Sequence, residues 1–146
     1  MIRVVYNKTV SCPTPKSFIE KIITQTARRE KKVRGIVELT IVGGAVIRRL
    51  NRQWRGQDKV TDVLSFAWGE SGGTKSDLLA EIFICYPQIA RQAKQYGVSA
   101  KEEFARMLIH GILHSVGYDH VTKPQAKKMF NLQEKILASI KYYDRK

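Results

Sequence analysis

The stretch from Ser99 to His120 constrains this chain more than any other part of it. Ser99-Ala-Lys-Glu102 has the form of a capping box, so it predicts a helix opening there and running to about Val116. On that helix Phe104, Leu108, Ile112 and Val116 share one side, and Ile109 and Leu113 widen it. A helix apolar around most of its circumference has to be a central, largely buried element. His110 and His114 fall in the remaining polar gap, with Glu103 and Arg106 one to two turns earlier. A polar gap in a buried helix lines a cleft.

What packs on that helix is legible as alternating strands and amphipathic helices. Residues 2–6, 36–42, 62–68 and 78–85 read as strands. Residues 15–32 read as a helix with Phe18, Ile19, Ile22, Ile23 and Thr26 inward and a basic group at its end. Residues 45–54 read as a second helix with Val46, Leu50 and Trp54 inward. Residues 69–76, with Gly72, Gly73 and Ser76, read as a loop. A helix over 87–96 stops at Gly97, and Thr122-Lys-Pro-Gln125 opens a last helix to about Tyr143. The expected class is α+β: a small mixed sheet of about four strands with about five helices, the central one carrying the histidines. With 146 residues and no repeat or linker, residues 1–146 are expected to form a single domain.

All three histidines of the chain fall within H110-G-I-L-H114-S-V-G117-Y-D-H120. A spacing of four puts the first two on one helical face, one turn apart. Gly117 can end the helix in the left-handed conformation, so His120 can return to the same point. Three imidazoles around one tetrahedral ion leave a fourth position for water, the pattern of a catalytic zinc site. His110, His114 and His120 are therefore the expected ligands of one Zn2+, although imidazole also accepts other transition ions. The spacing is that of metzincin proteases, but these place a general-base glutamate directly after the first histidine. Here that position is Gly111, so peptidase chemistry lacks its proton acceptor. Glu81, Glu103 and Asp119 are the carboxylates left to approach the site, and Asp119 could instead orient an imidazole.

A second constellation lies at Arg55-Gly-Gln-Asp-Lys59-Val-Thr61-Asp62-Val-Leu-Ser65-Phe66. The flat, permanently charged guanidinium of Arg55 suits phosphate, and Lys59, Thr61 and Asp62 are further candidates for substrate binding. Trp54, Trp68, Tyr86 and Tyr118 could stack bases or form cleft walls. Lys plus Arg is 26 against 13 for Asp plus Glu, a net charge of +13. The excess is grouped at Arg28, Arg29, Lys31, Lys32 and Arg34, at Arg48, Arg49, Arg52, Arg55 and Lys59, and at Lys127, Lys128, Lys141, Arg145 and Lys146. Such a field favours polyanions, nucleic acid first. No apolar run approaches the roughly 20 residues of a membrane helix. No secretion signal is read at the start, and Cys12 and Cys85 form no CxxC pair, so a reduced, cytoplasmic protein is expected.

Residues 110–120 resemble the H-G-x-L-H-x-x-G-Y-D-H block of the YbeY family of bacterial rRNA-maturation endoribonucleases, and residues 50–66 resemble its second block, L-N-x-x-[YW]-R-G-x-D-x-x-T-D-V-L-S-F. The resemblance spans about residues 36–120. It implies zinc on His110, His114 and His120, with Arg55 binding or activating an RNA phosphate and His110 and His114 in the catalytic set. It also implies single-strand-specific cleavage in 16S rRNA 3′-end maturation and ribosome quality control. The implied partners are precursor rRNA, the small ribosomal subunit, ribosomal proteins and a ribosome-assembly GTPase. Departures are Ala80-Glu81-Ile82 where the family commonly has Gly-Asp-Ile, Val60 for Pro, and Ser115 for Leu. Two rival readings are a non-catalytic zinc-containing assembly factor and a metallohydrolase acting on another substrate.

Overall fold

The alternation of side chains along the strands sorts the molecule into two unequal layers about one sheet. The computed structural model describes residues 2–68 and 77–144. Its strands are β1 (Ile2–Lys8), β2 (Gly35–Val42), β3 (Val63–Ala67) and β4 (Leu78–Cys85). They lie in the order β1-β2-β4-β3; β1, β2 and β4 are parallel and β3 runs antiparallel to β4 at the rim. The helices are α1 (Lys16–Arg29), α2 (Gly44–Arg55), α3 (Tyr86–Tyr96), α4 (Ala100–Ser115) and α5 (Lys123–Asp144). This is the expected mixed four-stranded sheet with five helices. The loop expected at residues 69–76 lies outside the described residues.

Val37, Leu39 and Ile41 of β2 and Ala80, Ile82 and Ile84 of β4 point to one side, where they are buried with Ile19, Ile22 and Ile23 of α1 and with Phe104, Leu108 and Ile112 of α4. Each buried Val, Leu, Ile or Phe side chain among them contributes about 1.5–3 kcal/mol. Residues one step out of phase, Val42, Leu64 and Cys85, meet Ile47 of α2 on the other face. Helix α4 is therefore the central element expected from its sequence, in contact with α1, α3, α5, β3 and β4. The Ser99 hydroxyl accepts from the Glu102 amide at 3.0 Å, as the capping box requires. Thr122 and Gln125 exchange the reciprocal pair at 3.1 and 3.3 Å.

Two local expectations change. Helix α1 stops at Arg29 because Glu30 is already extended, so only Arg28 and Arg29 lie in its last turn. On α2 the inward residues are Ile47 and Asn51, while Val46 and Leu50 flank them and Trp54 is 60% exposed. Asn51 is buried because its amide donates to the Lys59 carbonyl at 3.0 Å and ties down the returning chain. Trp54 overhangs the sheet, its ring edge-on to Phe66 at 6.2 Å. Among the described residues no helix is long and apolar enough to cross a membrane.

Candidate functional site

Helix α4 ends in a turn that brings the third histidine back to the first two. Gly117 has φ +105°, a conformation that side-chain-bearing residues rarely adopt. Its amide donates to the His114 carbonyl at 3.2 Å, and the Tyr118 amide donates to the Leu113 carbonyl at 3.1 Å. This is a Schellman closure. It reverses the chain and sets His120 opposite the helix. The ring centres of His110 and His120 lie 5.5 Å apart, and those of His114 and His120 6.4 Å apart.

Across from the histidines stands the rim strand β3. A cavity of about 180 Å³ is lined by Arg55, Val63, Leu64, Ser65, His110, Gly111, His114 and His120. Arg55, the last residue of α2, reaches over the rim. Its guanidinium donates to the Ser65 carbonyl at 2.7 Å and lies 5.1 Å from the centre of the Phe66 ring. The structure thus brings together four of the residues singled out from the sequence: Arg55, His110, His114 and His120. Lys59, Thr61 and Asp62 lie just before β3 and are not on that wall. Thr61 donates to Asp62 Oδ1 at 3.3 Å, and Asp62 accepts from the Val63 amide at 2.8 Å and from Gln92 at 3.1 Å.

The described wall carries no carboxylate. Glu81 is on the far face of the sheet, next to Glu38 across the ladder. Burial, with the Glu38 charge adding to it, raises its pKa. Glu103 is 2% exposed and engaged by Gln92 at 3.0 Å and Arg106 at 3.2 Å. Asp119 accepts from the His120 amide at 2.8 Å and shapes the turn.

Gly111 has a packing reason as well. A Cβ built there would stand 3.2 Å from Val63 Cγ2 and 3.5 Å from Ile82 Cγ2, so its absence sets how closely α4 approaches the sheet. Replacing Gly111 with valine is expected to cost about 2–3 kcal/mol by overpacking, read as a lower urea midpoint at unchanged slope. A variant as stable as the wild type would mean that the helix backs away freely.

The imidazoles fit a metal by donor chemistry. His114 Nδ1 lies 3.0 Å from the Tyr118 carbonyl, which can only accept, so in the neutral ring Nδ1 carries the proton and Nε2 the lone pair. His110 Nδ1 lies 2.9 Å from Gln133 Oε1. Burial lowers the pKa of His110, against the opposing hydrogen bond from Gln133, and favours the neutral, ligating form. The fit in space is less complete. Imidazoles on one tetrahedral zinc hold their ring centres about 5 Å apart, and the His114–His120 pair is wider than that. Accordingly, among the described residues no group of three or more His, Cys, Asp or Glu side chains is drawn together enough to hold a metal ion.

Two neighbours of the site carried no local sequence signal. Gln133 of α5 is one. Phe130 is the other, 42% exposed and stacked on both His110 and His120 at 6.2 and 6.0 Å. Of the aromatic candidates, Trp54 and Trp68 are exposed, whereas Tyr86 and Tyr118 pack against the core.

Fold and site together define an α+β protein with an arginine facing three histidines across the rim of its sheet. The family model described as endoribonuclease YbeY matches residues 4–141. An endoribonuclease YbeY of Sulfurihydrogenibium sp. is 41% identical over 90% of this chain and 85% of its own length. One from Persephonella marina is 35% identical over 98% of this chain and 95% of its own. The solution structure of a Thermotoga maritima protein superposes with a TM-score of 0.65 at 28% identity, covering 99% of this chain and 92% of that one. The chain belongs to the endoribonuclease YbeY family.

Proposed function

We propose that this protein is a zinc-dependent endoribonuclease that cuts single-stranded RNA in 16S rRNA 3′-end maturation and ribosome quality control. The observation that carries the reading is the placement of Arg55 in one cavity with His110, His114 and His120. Its membership of the family and its net charge of +13 support an RNA substrate. Precursor rRNA in the small subunit is the proposed partner, with ribosomal proteins and a ribosome-assembly GTPase beside it, in the cytoplasm.

In this reading His110, His114 and His120 hold the ion. Bound there, zinc would supply Lewis-acid chemistry toward a phosphate or a water molecule. Arg55 leaves the Ser65 carbonyl to grip the phosphate and offsets the charge that builds on it. Lys59 adds attraction for the strand, and Thr61 and Asp62 shape the start of β3. With no carboxylate on the described wall, the nucleophile is either water or the RNA 2′-OH, and a 2′,3′-cyclic phosphate product end would identify the latter.

The same lack of a carboxylate favours, as a second reading, a zinc-containing assembly factor that binds RNA without cutting it. One assay separates them. Wild type and Arg55→Ala are incubated with matched single-stranded and duplex RNA at two salt concentrations, with metal content measured alongside. The wild type is expected to carry about one zinc and to cut only the single strand, with affinity falling steeply with salt. Arg55→Ala is expected to keep its zinc and cut about a hundredfold more slowly. Zinc and RNA binding without any cleavage, even of ribosomal precursors, would transfer the case to the assembly factor.

A further inference from the structure

Helix α5 carries a polar residue, Gln133, that is 5% exposed among the buried Met129, Ile136, Leu137 and Ile140. Its side chain joins a hydrogen-bonded chain that runs from a cation on α4 back to a histidine on α4. Arg106 donates to both carboxylate oxygens of Glu134, from Nε at 3.1 Å and Nη2 at 3.2 Å. It also donates to Glu102 at 3.0 Å and to Glu103 at 3.2 Å. Glu134, so anchored, accepts from Gln133 Nε2 at 3.2 Å. The other end of the same amide, Oε1, faces His110 Nδ1 at 2.9 Å.

The direction of this chain is not free. Turning the Gln133 amide over would set its oxygen against the Glu134 carboxylate, acceptor against acceptor. The carboxylate therefore fixes which end of the amide meets the imidazole. That end is an acceptor, so His110 can satisfy it only by donating from Nδ1. A neutral imidazole has one ring proton, and with that proton on Nδ1 the lone pair is on Nε2.

We propose that Gln133 is a positioning residue that locks neutral His110 in its Nδ1–H tautomer and so presents Nε2 to a metal. The use of that nitrogen rests on the zinc reading above; the tautomer does not. Gln133 does for His110 what the Tyr118 carbonyl does for His114, but it does so through a side chain whose orientation is set by the anchored Glu134. Partners of this kind typically change metal affinity by about 10–100-fold when lost.

The experiment reads both consequences separately. Ring-nitrogen NMR on the metal-free protein at about pH 8, above the ordinary imidazole pKa, is expected to place the His110 proton on Nδ1 in the wild type. Gln133→Leu, which keeps bulk and removes the acceptor, is expected to release His110 into a mixture of tautomers. Its zinc affinity, measured against a chromophoric chelator, is expected to fall about 10–100-fold. Glu134→Ala leaves the buried amide in place and removes the group that orients it, at a half-exposed position; a smaller shift in the same direction is expected. A His110 that keeps its Nδ1 proton in both variants, or that carries it on Nε2 in the wild type, would overturn the proposal. Because the tautomer is read without metal, a wild type that shows the Nδ1 proton yet binds no zinc would sink the zinc reading and leave the role of Gln133 supported.

Discussion

Replacing His114 with alanine is expected to remove the metal and to slow RNA cleavage by at least about a thousandfold, some 4 kcal/mol of transition-state stabilisation. The side chain is exposed on the open side of α4, and its hydrogen-bond partner among the described residues is the Tyr118 carbonyl. Folding should therefore be nearly indifferent to the change, and the loss should fall on chemistry alone. Elemental analysis and a cleavage assay on the same preparation read the two effects together. A variant that keeps about one zinc and cuts RNA near the wild-type rate would take His114 out of the site. The contrast with Arg55→Ala is diagnostic: both should be slow, but only the histidine variant should also be empty of metal.

The largest effect on stability is expected at Arg106. This side chain is 22% exposed and holds three carboxylates, one of them the almost fully buried Glu103. The charge balance raises the pKa of Arg106, chiefly through its hydrogen bond to Glu134, despite its burial. Arg106→Ala leaves Glu103 in the interior with Gln92 as its remaining hydrogen-bond partner among those described. Stranding a buried charge typically costs about 3–5 kcal/mol, a large part of the 5–15 kcal/mol that holds a typical domain together. Chemical denaturation should register it as a shift of midpoint. A loss under about 1 kcal/mol would mean that water reaches Glu103 and that the pairing is ornamental.

How far these features could be read from sequence depends on whether their causes are local. Helix α4 was legible because its cap, its apolar period and its terminating glycine lie within 19 residues of one another, from Ser99 to Gly117. The histidine spacing was legible for the same reason, since two of the histidines ride one helical face and the third follows its turn. Arg55 was singled out from its own segment, but its meeting with the histidines depends on how β3 and α4 pack. The burial of Asn51 in place of Trp54 was not legible, because it rests on one hydrogen bond to the Lys59 carbonyl, eight residues on. Gln133 was not legible either. Its partner His110 is 23 residues away, and that of Glu134, Arg106, is 28 away. No periodicity encodes such pairs; only the docking of α5 on α4 creates them.

The rim position of β3 has a consequence for how such a cleft can change over time. Part of its wall is main chain, and the group that Arg55 grips at rest is a backbone carbonyl. Amides and carbonyls are common to all residues other than proline, so an exchange at Ser65, which is not part of the core as its neighbour Leu64 is, can alter the side chain and leave the hydrogen-bonding outline intact. Variation is thereby tolerated on one bank of the cleft, while the other bank, made of imidazoles and the amide behind one of them, has almost no neutral alternatives. Drift in a gene encoding such a protein should therefore accumulate asymmetrically about the groove.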